Sequence, residues 1–416
     1  MFTNIERKIL LILAFVQFNH IVDFMIIMPL GPQLMRTFDI SPREFSLLVS
    51  SYTFFAGLSG FLATFYTDKF DRKKSLLFLF LGFTIATALC GLANTYETML
   101  VARALTGFFG GVMNSVVLSI VSDLIEYQRR GTAMGYLATA FSVASIVGVP
   151  FSLYLAHHFN YHSPFIFLAF ICFLVLFAAY KYVPSVNHHL KNKNNAQHFW
   201  DPVVLIFKSK TQVTALVFMF YVMFSHFCII PFISPTFVAN AGISESDLTW
   251  IYLVGGFCSI FTAPFVGRLA DRFGKSKIFI GSVLFSIVPI LFVTHLEKTP
   301  LYAVLVVSGL FFISAGSRMI PAQALISSAV VPENRGAFMS LLSCIQSLSM
   351  ALGAYVAGRI IVKDETTGYL HHYPIVGYVA IAIGILTIII VQKIKFLDEN
   401  PNKVKYPETE KVKYRL

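Results

Sequence analysis

The chain has 416 residues, 56% of them hydrophobic and only 13% charged, with a mean hydropathy of +0.71. A soluble domain carries roughly a quarter charged residues, so this composition cannot build a water-facing surface, and the reading is an all-α membrane protein. The formal charge of +11 would suit nucleic acid, but its placement along the chain follows a membrane instead, and no nucleic-acid partner is expected.

A helix that crosses a bilayer needs ~20 mostly apolar residues. Twelve such runs occur, roughly at 8–30, 45–66, 75–94, 98–122, 132–156, 163–183, 211–235, 247–267, 278–295, 301–327, 336–360 and 374–393. No small-residue cleavage site follows Met1–Lys8, so the first run is expected to be a retained span and not a signal peptide. The five cysteines lie inside apolar runs without paired spacing, which fits small buried residues better than disulfides or a metal site. Residues 1–183 and 211–393 form two six-span halves. The polar stretch 184–210 is expected to be their linker, with a short interfacial helix over 198–207, and 394–416 to be a tail. With the N-terminus inside, all but seven of the 32 basic residues fall on the cytoplasmic side. Five of those seven are in outward loops (Arg36, Arg43, Lys298, Arg359, Lys363) and two within spans (Arg103, Arg318). That bias places both termini in the cytoplasm.

Charges within spans are costly and normally face a partner or a cavity. Asp23 of span one lies about 10 Å below the outward end of its run, and Arg103 of span four about 8 Å below its own, at ~1.5 Å per residue. The two can therefore share a depth. Their pairing could be a static ion pair or a working proton site, and Asp23 could instead pair with Arg318, which sits near mid-depth of span ten. A guanidinium there suits an anionic group. Gln17, Asn19 and His20 of span one, Asn114 of span four and His226 of span seven are further polar residues within spans; His226 also titrates in the useful range. In span five, Gly148 and Pro150 would allow close backbone approach and a bend. Gly353 follows Gly148 at an offset of 205, as Arg335-Gly336 follows Arg130-Gly131.

The strongest internal signal is a repeated turn. Thr67-Asp68-Lys69-Phe70-Asp71-Arg72-Lys73-Lys74, between runs two and three, returns 203 positions later as Ala270-Asp271-Arg272-Phe273-Gly274-Lys275-Ser276-Lys277 between runs eight and nine. A repeat near half the chain length means two homologous halves. These turns resemble motif A of the major facilitator superfamily, and over essentially the whole chain the sequence is most similar to its twelve-span drug/proton antiporters and sugar-efflux permeases. Arg103-Ala104-Leu105-Thr106-Gly107 resembles motif B, and the Gly148/Pro150 region an incomplete motif C. The resemblance implies a fold of two pseudo-symmetric six-helix bundles with spans one, four, seven and ten around a central substrate cavity, which Gln17, Asn19, His20, Asp23, Asn114, His226 and Arg318 would line. It implies gating roles for Asp68, Arg72, Lys73, Asp271, Arg272, Lys275, Gly148 and Pro150, and proton coupling through Asp23 and Arg103, with His226 as a further candidate. Asp71 departs from the motif, standing where glycine is usual.

No nucleophile, acid–base or metal constellation converges, and no phosphate-binding glycine–lysine loop appears; neither an enzyme nor an ATP-driven pump is expected, and no cofactor or metal. His157, His158 and His162 read as ordinary loop histidines. Asp23, Arg103 and Arg318 would cost a passive scaffold stability and offer it nothing. The expectation is a monomeric secondary transporter of the cell inner membrane. It would exchange protons for a small drug-like or sugar-like compound leaving the cell, the alternative being proton-coupled uptake of a small, anionic metabolite or siderophore.

Overall fold

A computed structural model of the chain describes residues 2–63, 70–187, 206–327 and 335–394. Among these are twelve helices long and apolar enough to cross a membrane. Spans one to six are Asn4–Ile26, Pro42–Ala63, Arg72–Leu92, Tyr96–Leu124, Gln128–His158 and His162–Tyr182. Spans seven to twelve are Lys210–Ala239, Leu248–Phe273, Lys275–Thr294, Leu301–Ser327, Phe338–Ile360 and Tyr373–Lys393. Each half repeats one set of pairings. Span one packs on five and six, span four on two and three, and span three on six; span seven packs on eleven and twelve, span ten on eight and nine, and span nine on twelve. Two long crossings join the halves, span two against span eleven and span five against span eight.

The helix ends follow local chemistry. Thr3 opens span one with a reciprocal capping box to Glu6. Span three begins at Asp71, whose Oδ1 accepts from the backbone N–H groups of Lys73 (2.8 Å) and Lys74 (3.2 Å). Its other oxygen takes the hydroxyl of Ser185, and Arg72 N–H donates to the Val186 carbonyl at 3.1 Å. The chain leaving span six is thus tied to the start of span three. At the matching place in the second half, Gly274 adopts φ +96°, a left-handed conformation that glycine enters freely. Asp71 has φ −58°. The aspartate that replaces the motif's glycine therefore changes the turn from a left-handed hinge to a helix cap.

Proline interrupts two spans where bends are needed. In span five a π-turn at Ala144–Gly148 precedes Pro150. Span seven breaks at Ile230–Phe232, a 3-10 turn holding Pro231, before resuming at Ile233–Ala239. Beyond span eleven, a two-stranded ribbon pairs β1 (Val362–Lys363) with β2 (Leu370–His371), antiparallel. Asn240 accepts from Leu370 N–H and donates to its carbonyl, both at 2.9 Å, joining the ribbon to span seven. Nothing in the sequence reading anticipated the ribbon. The expected interfacial helix lies mostly outside the described residues, as do Asp68 and nearly all of the tail.

The buried apolar residues fall into three cores. One belongs to the first half alone, from Ile9 to Val183, and one to the second alone, from Ile206 to Ile394. The third draws on both halves and lies at the end opposite the basic turns, bringing Phe45, Leu48 and Val49 together with Phe232, Ala354 and Ala357. Along this seam the Ser50 hydroxyl donates to the Ala351 carbonyl at 2.9 Å, and Phe45 meets Phe232 edge-on at 5.7 Å. Above it, Arg36 forms a bidentate ion pair with Glu245. The far end of the molecule is therefore closed by a continuous apolar seam, while the apolar cores at the basic end stay with their own halves.

Candidate functional site

Asp23 and Arg103 meet as the depth argument requires. Arg103 Nη1 lies 2.9 Å from Asp23 Oδ2 and 3.1 Å from the Asp23 carbonyl, and both side chains are fully buried. Thr87 of span three donates to the second carboxylate oxygen at 3.3 Å. Tyr52 of span two lays its ring against the guanidinium, 4.5 Å from the ring centroid. Arg103 Nε and Nη2 and the Tyr52 hydroxyl have no hydrogen-bond partner among the described residues. The site is thus a fully buried ion pair with one aromatic wall, built from four spans.

Two glycines of span four make this approach possible. A Cβ at Gly107 would sit 2.1 Å from the Tyr52 carbonyl oxygen, and one at Gly111 2.2 Å from that of Ala56. Spans two and four therefore touch backbone to backbone, which carries the Tyr52 ring to Arg103. Gly110, on the next face, leaves room for the His20 ring and the Tyr52 hydroxyl, both 3.0 Å or less from where its Cβ would be. Gly148 performs the same service for span five. A Cβ there would lie 2.4 Å from Val22, next to Asp23, and its counterpart Gly353 would meet the Phe224 carbonyl oxygen of span seven at 2.8 Å. Pro150 is buried just beyond the π-turn.

The other candidates divide into groups. Gln17 donates to Asn114 at 2.5 Å. Asn114 is exposed, yet it lies on the side of span four opposite exposed Val101 and Leu105, since 13 and nine residues at 100° each turn it away from them. It therefore shares the face of span four that carries Arg103, away from that exposed apolar side. Asn19 is fully buried and donates to its own helix at Phe15, 2.8 Å away.

Arg318 does not reach Asp23. Its Nη2 lies 3.1 Å from His226 Nδ1 and its Nη1 3.4 Å from the Ser225 hydroxyl, inside the second half. Ser225 in turn donates to Ala380 of span twelve at 2.8 Å. A guanidinium only donates, so His226 accepts at Nδ1 and is the neutral tautomer with its proton on Nε2. Arg318 is 3% exposed, and no carboxylate among the described residues pairs with it.

At the basic end, Arg72 Nε lies 3.5 Å from Asp123 at the foot of span four, and Lys73 sits over the Tyr180 ring at 5.5 Å. In the second copy Asp271 and Arg272 are exposed, Arg272 resting on Phe273 at 5.2 Å, and Lys275 is partly buried. Asp71 is held by three of its neighbours, Lys73, Lys74 and Ser185. Burial pushes its carboxyl upward, but the Ser185 hydroxyl and the capping N–H groups outweigh that and hold it below the usual range. Tyr52, Thr87 and Ser225 were not singled out by sequence reasoning, and Asp71 stood out only as a departure from the motif; Tyr52 and Thr87 are uncharged members of apolar runs, and only the third dimension brings them to the charges.

A family model described as Major Facilitator Superfamily matches residues 13–227 and again 215–415. The chain is 23% identical over 376 residues to the putative transporter AraJ of Escherichia coli (strain K12), spanning 88% of this chain and 90% of that one. It is 21% identical over 395 residues to a probable sugar efflux transporter of Mannheimia succiniciproducens, spanning 93% of each. Among solved structures, a D-xylose-proton symporter superposes with a TM-score of 0.74 at 15% identity, over 93% of this chain and 97% of that one. A bacterial homologue of the human lysosomal transporter Spinster, inward-facing and unoccupied, gives 0.73 at 16%, over 94% and 97%.

Proposed function

The chain belongs to the major facilitator superfamily, and from that premise we propose that it exchanges protons for a small organic compound, exporting the compound from the cell. It is a multi-pass membrane transporter, and the proposal places it in the cell inner membrane with both termini cytoplasmic. Residues 1–183 and 211–393 act as two rocking bundles, joined through 184–210 and followed by a cytoplasmic tail, and one chain suffices for the cycle. The observation that carries the reading is the buried Asp23–Arg103 pair. A carboxylate held dry by one cation can exchange that cation for a proton, and such an exchange couples proton entry to a change of shape.

In this cycle Asp23 takes a proton from the outer side, the bundles rock, and the proton leaves to the cytoplasm as Arg103 reclaims the carboxylate. The compound travels the other way through the cleft that Gln17, Asn114 and His20 border. Likeness to sugar efflux transporters supports export. Asp68, Arg72, Lys73, Asp271, Arg272, Lys275, Gly148 and Pro150 serve the rocking motion and not the cargo. A second reading, uptake of a small anionic compound, is favoured by Arg318, a buried guanidinium with no acidic partner among the described residues.

The test is proton flux in liposomes holding the purified full chain, on adding a panel of pentoses, hexoses and lipophilic cations, with Asp23→Asn beside wild type. Proton movement opposite to a compound, abolished by the substitution, is expected. Movement in the same direction makes the protein a symporter, and normal coupling in Asp23→Asn removes the proposed proton site.

A further inference from the structure

Resting on the reading of Asp23 as the coupling carboxylate, we infer that Tyr52 is a positioning residue of the proton site, its ring face carrying the Arg103 charge whenever Asp23 is protonated. The difficulty it solves is electrostatic. While Asp23 is charged, Arg103 is neutralised at 2.9 Å. Once Asp23 takes a proton, a full guanidinium charge remains in a site where Arg103 is 0% exposed, and an uncompensated buried cation is among the costliest arrangements a protein can hold.

The groups facing the pair leave few candidates to compensate it. From span three come Thr87, whose hydroxyl donates to Asp23, and the Cys90 thiol near Arg103. Span six places the Cys172 thiol within electrostatic reach of Asp23. Span one itself offers His20, 6.4 Å from the Tyr52 ring between centroids. None of these carries negative charge in its neutral form. Besides the Asp23 backbone carbonyl, which accepts from Arg103 Nη1 at 3.1 Å in either state, the negative surface at hand is the π face of Tyr52 on span two, 4.5 Å from the guanidinium carbon.

That face acts unequally on the two states. The negative ring attracts Arg103 and repels the Asp23 carboxylate, so against the intact ion pair the two effects partly cancel. Against Arg103 with protonated Asp23 only the attraction is left. The ring therefore favours the protonated state, and it does so without moving. The backbone contact of Gly107 with Tyr52 holds it at this distance. The proton itself comes from and returns to water; the ring gains and loses none.

The test needs no substrate. The full chain in lipid is studied by infrared difference spectroscopy, and the protonated-carboxyl band that Asp23→Asn removes is recorded at one mildly acidic pH. Tyr52→Phe keeps the π face, and fluorinated phenylalanines placed at the same position keep the shape while draining the negative potential from the face. Tyr52→Phe is expected to leave the band close to wild type, and successive fluorination to lower the ratio of protonated to charged Asp23 progressively, by up to about thirtyfold, which is what a desolvated cation–π contact supplies. A series that stays flat overturns the role of the ring. Loss of the band already in Tyr52→Phe overturns it too, since the hydroxyl would then be the active part. If Asp23→Asn removes no band, the failure belongs to the coupling carboxylate, and the inference falls with it.

Discussion

At the scale of single residues, the ion pair of Asp23 and Arg103 is worth more to the protein whole than in parts. Removing one partner leaves the other charge buried and alone, at a cost of about 3–5 kcal/mol, whereas replacing both with apolar groups is far cheaper. Arg103→Leu should therefore sharply lower the thermal unfolding midpoint of the purified protein, and Asp23→Leu in the same chain should recover most of the loss while coupling stays abolished. A double variant as unstable as the single one would mean that Arg103 acts through packing alone. Gly107→Ala tests the scaffold beneath the pair. Its Cβ would come within 2.8 Å of three backbone atoms of Tyr52, which cannot step aside as a side-chain tip can, so folded yield should fall. At this scale the sequence was legible where a residue is charged. Asp23, Arg103 and Arg318 announce themselves inside apolar runs, and the first two were placed at one depth by counting helix rise. The partner of Arg318 was not legible, because Ser225 and His226 become its neighbours only through the rotation of span seven about its own axis.

At the scale of elements, the starts of spans three and nine show how a duplicated turn diverges. Asp71 caps its helix where Gly274 takes a left-handed turn. Because hydrogen bonds hold the Asp71 carboxyl below its ordinary value, the sign of its pH dependence is settled. Its contribution is present at every pH above the unfolded-state value of about 3.9 and is lost as the pH falls through the lower folded value. Asp71→Ala should thus destabilise by about 1 kcal/mol at neutral pH, and the gap in unfolding midpoint from wild type should close only in strong acid; a gap that closes near pH 6 would point to another group. Asn240 is a second local anchor. Asn240→Ala removes both hydrogen bonds to Leu370, and amide hydrogen exchange should quicken at Leu370 but not in span twelve. Repeats and apolar runs made the spans readable. The ribbon of β1 and β2 escaped because its strands have two residues each, too short for any alternation to register.

At the scale of the whole molecule, the two halves meet over span pairs two–eleven and five–eight, and the seam they share lies at the far end. Cysteines at Gly57 and Ser347, in a chain freed of its own five, should cross-link spans two and eleven about 10 Å toward the basic end from the Ser50–Ala351 contact, since a Cβ at Gly57 would lie 3.1 Å from that of Ser347. Oxidation should stop transport and a reductant restore it, while the single-cysteine chains stay indifferent to oxidant. Transport that continues after cross-linking would mean the halves do not part there. The duplication in sequence foretold two bundles but not which end would be shut, because composition locates the spans and their orientation and does not say which ends touch across the halves.

The shared core has a thermal consequence. To open the far end, Phe45, Leu48, Val49, Phe232, Ala354 and Ala357 must trade one another for water in the vestibule that forms. Newly wetted apolar surface raises heat capacity, so the balance between the two shapes of this transporter should bend with temperature. Since the attraction between apolar groups weakens on cooling, chilling should tip the population toward the form whose far end is open.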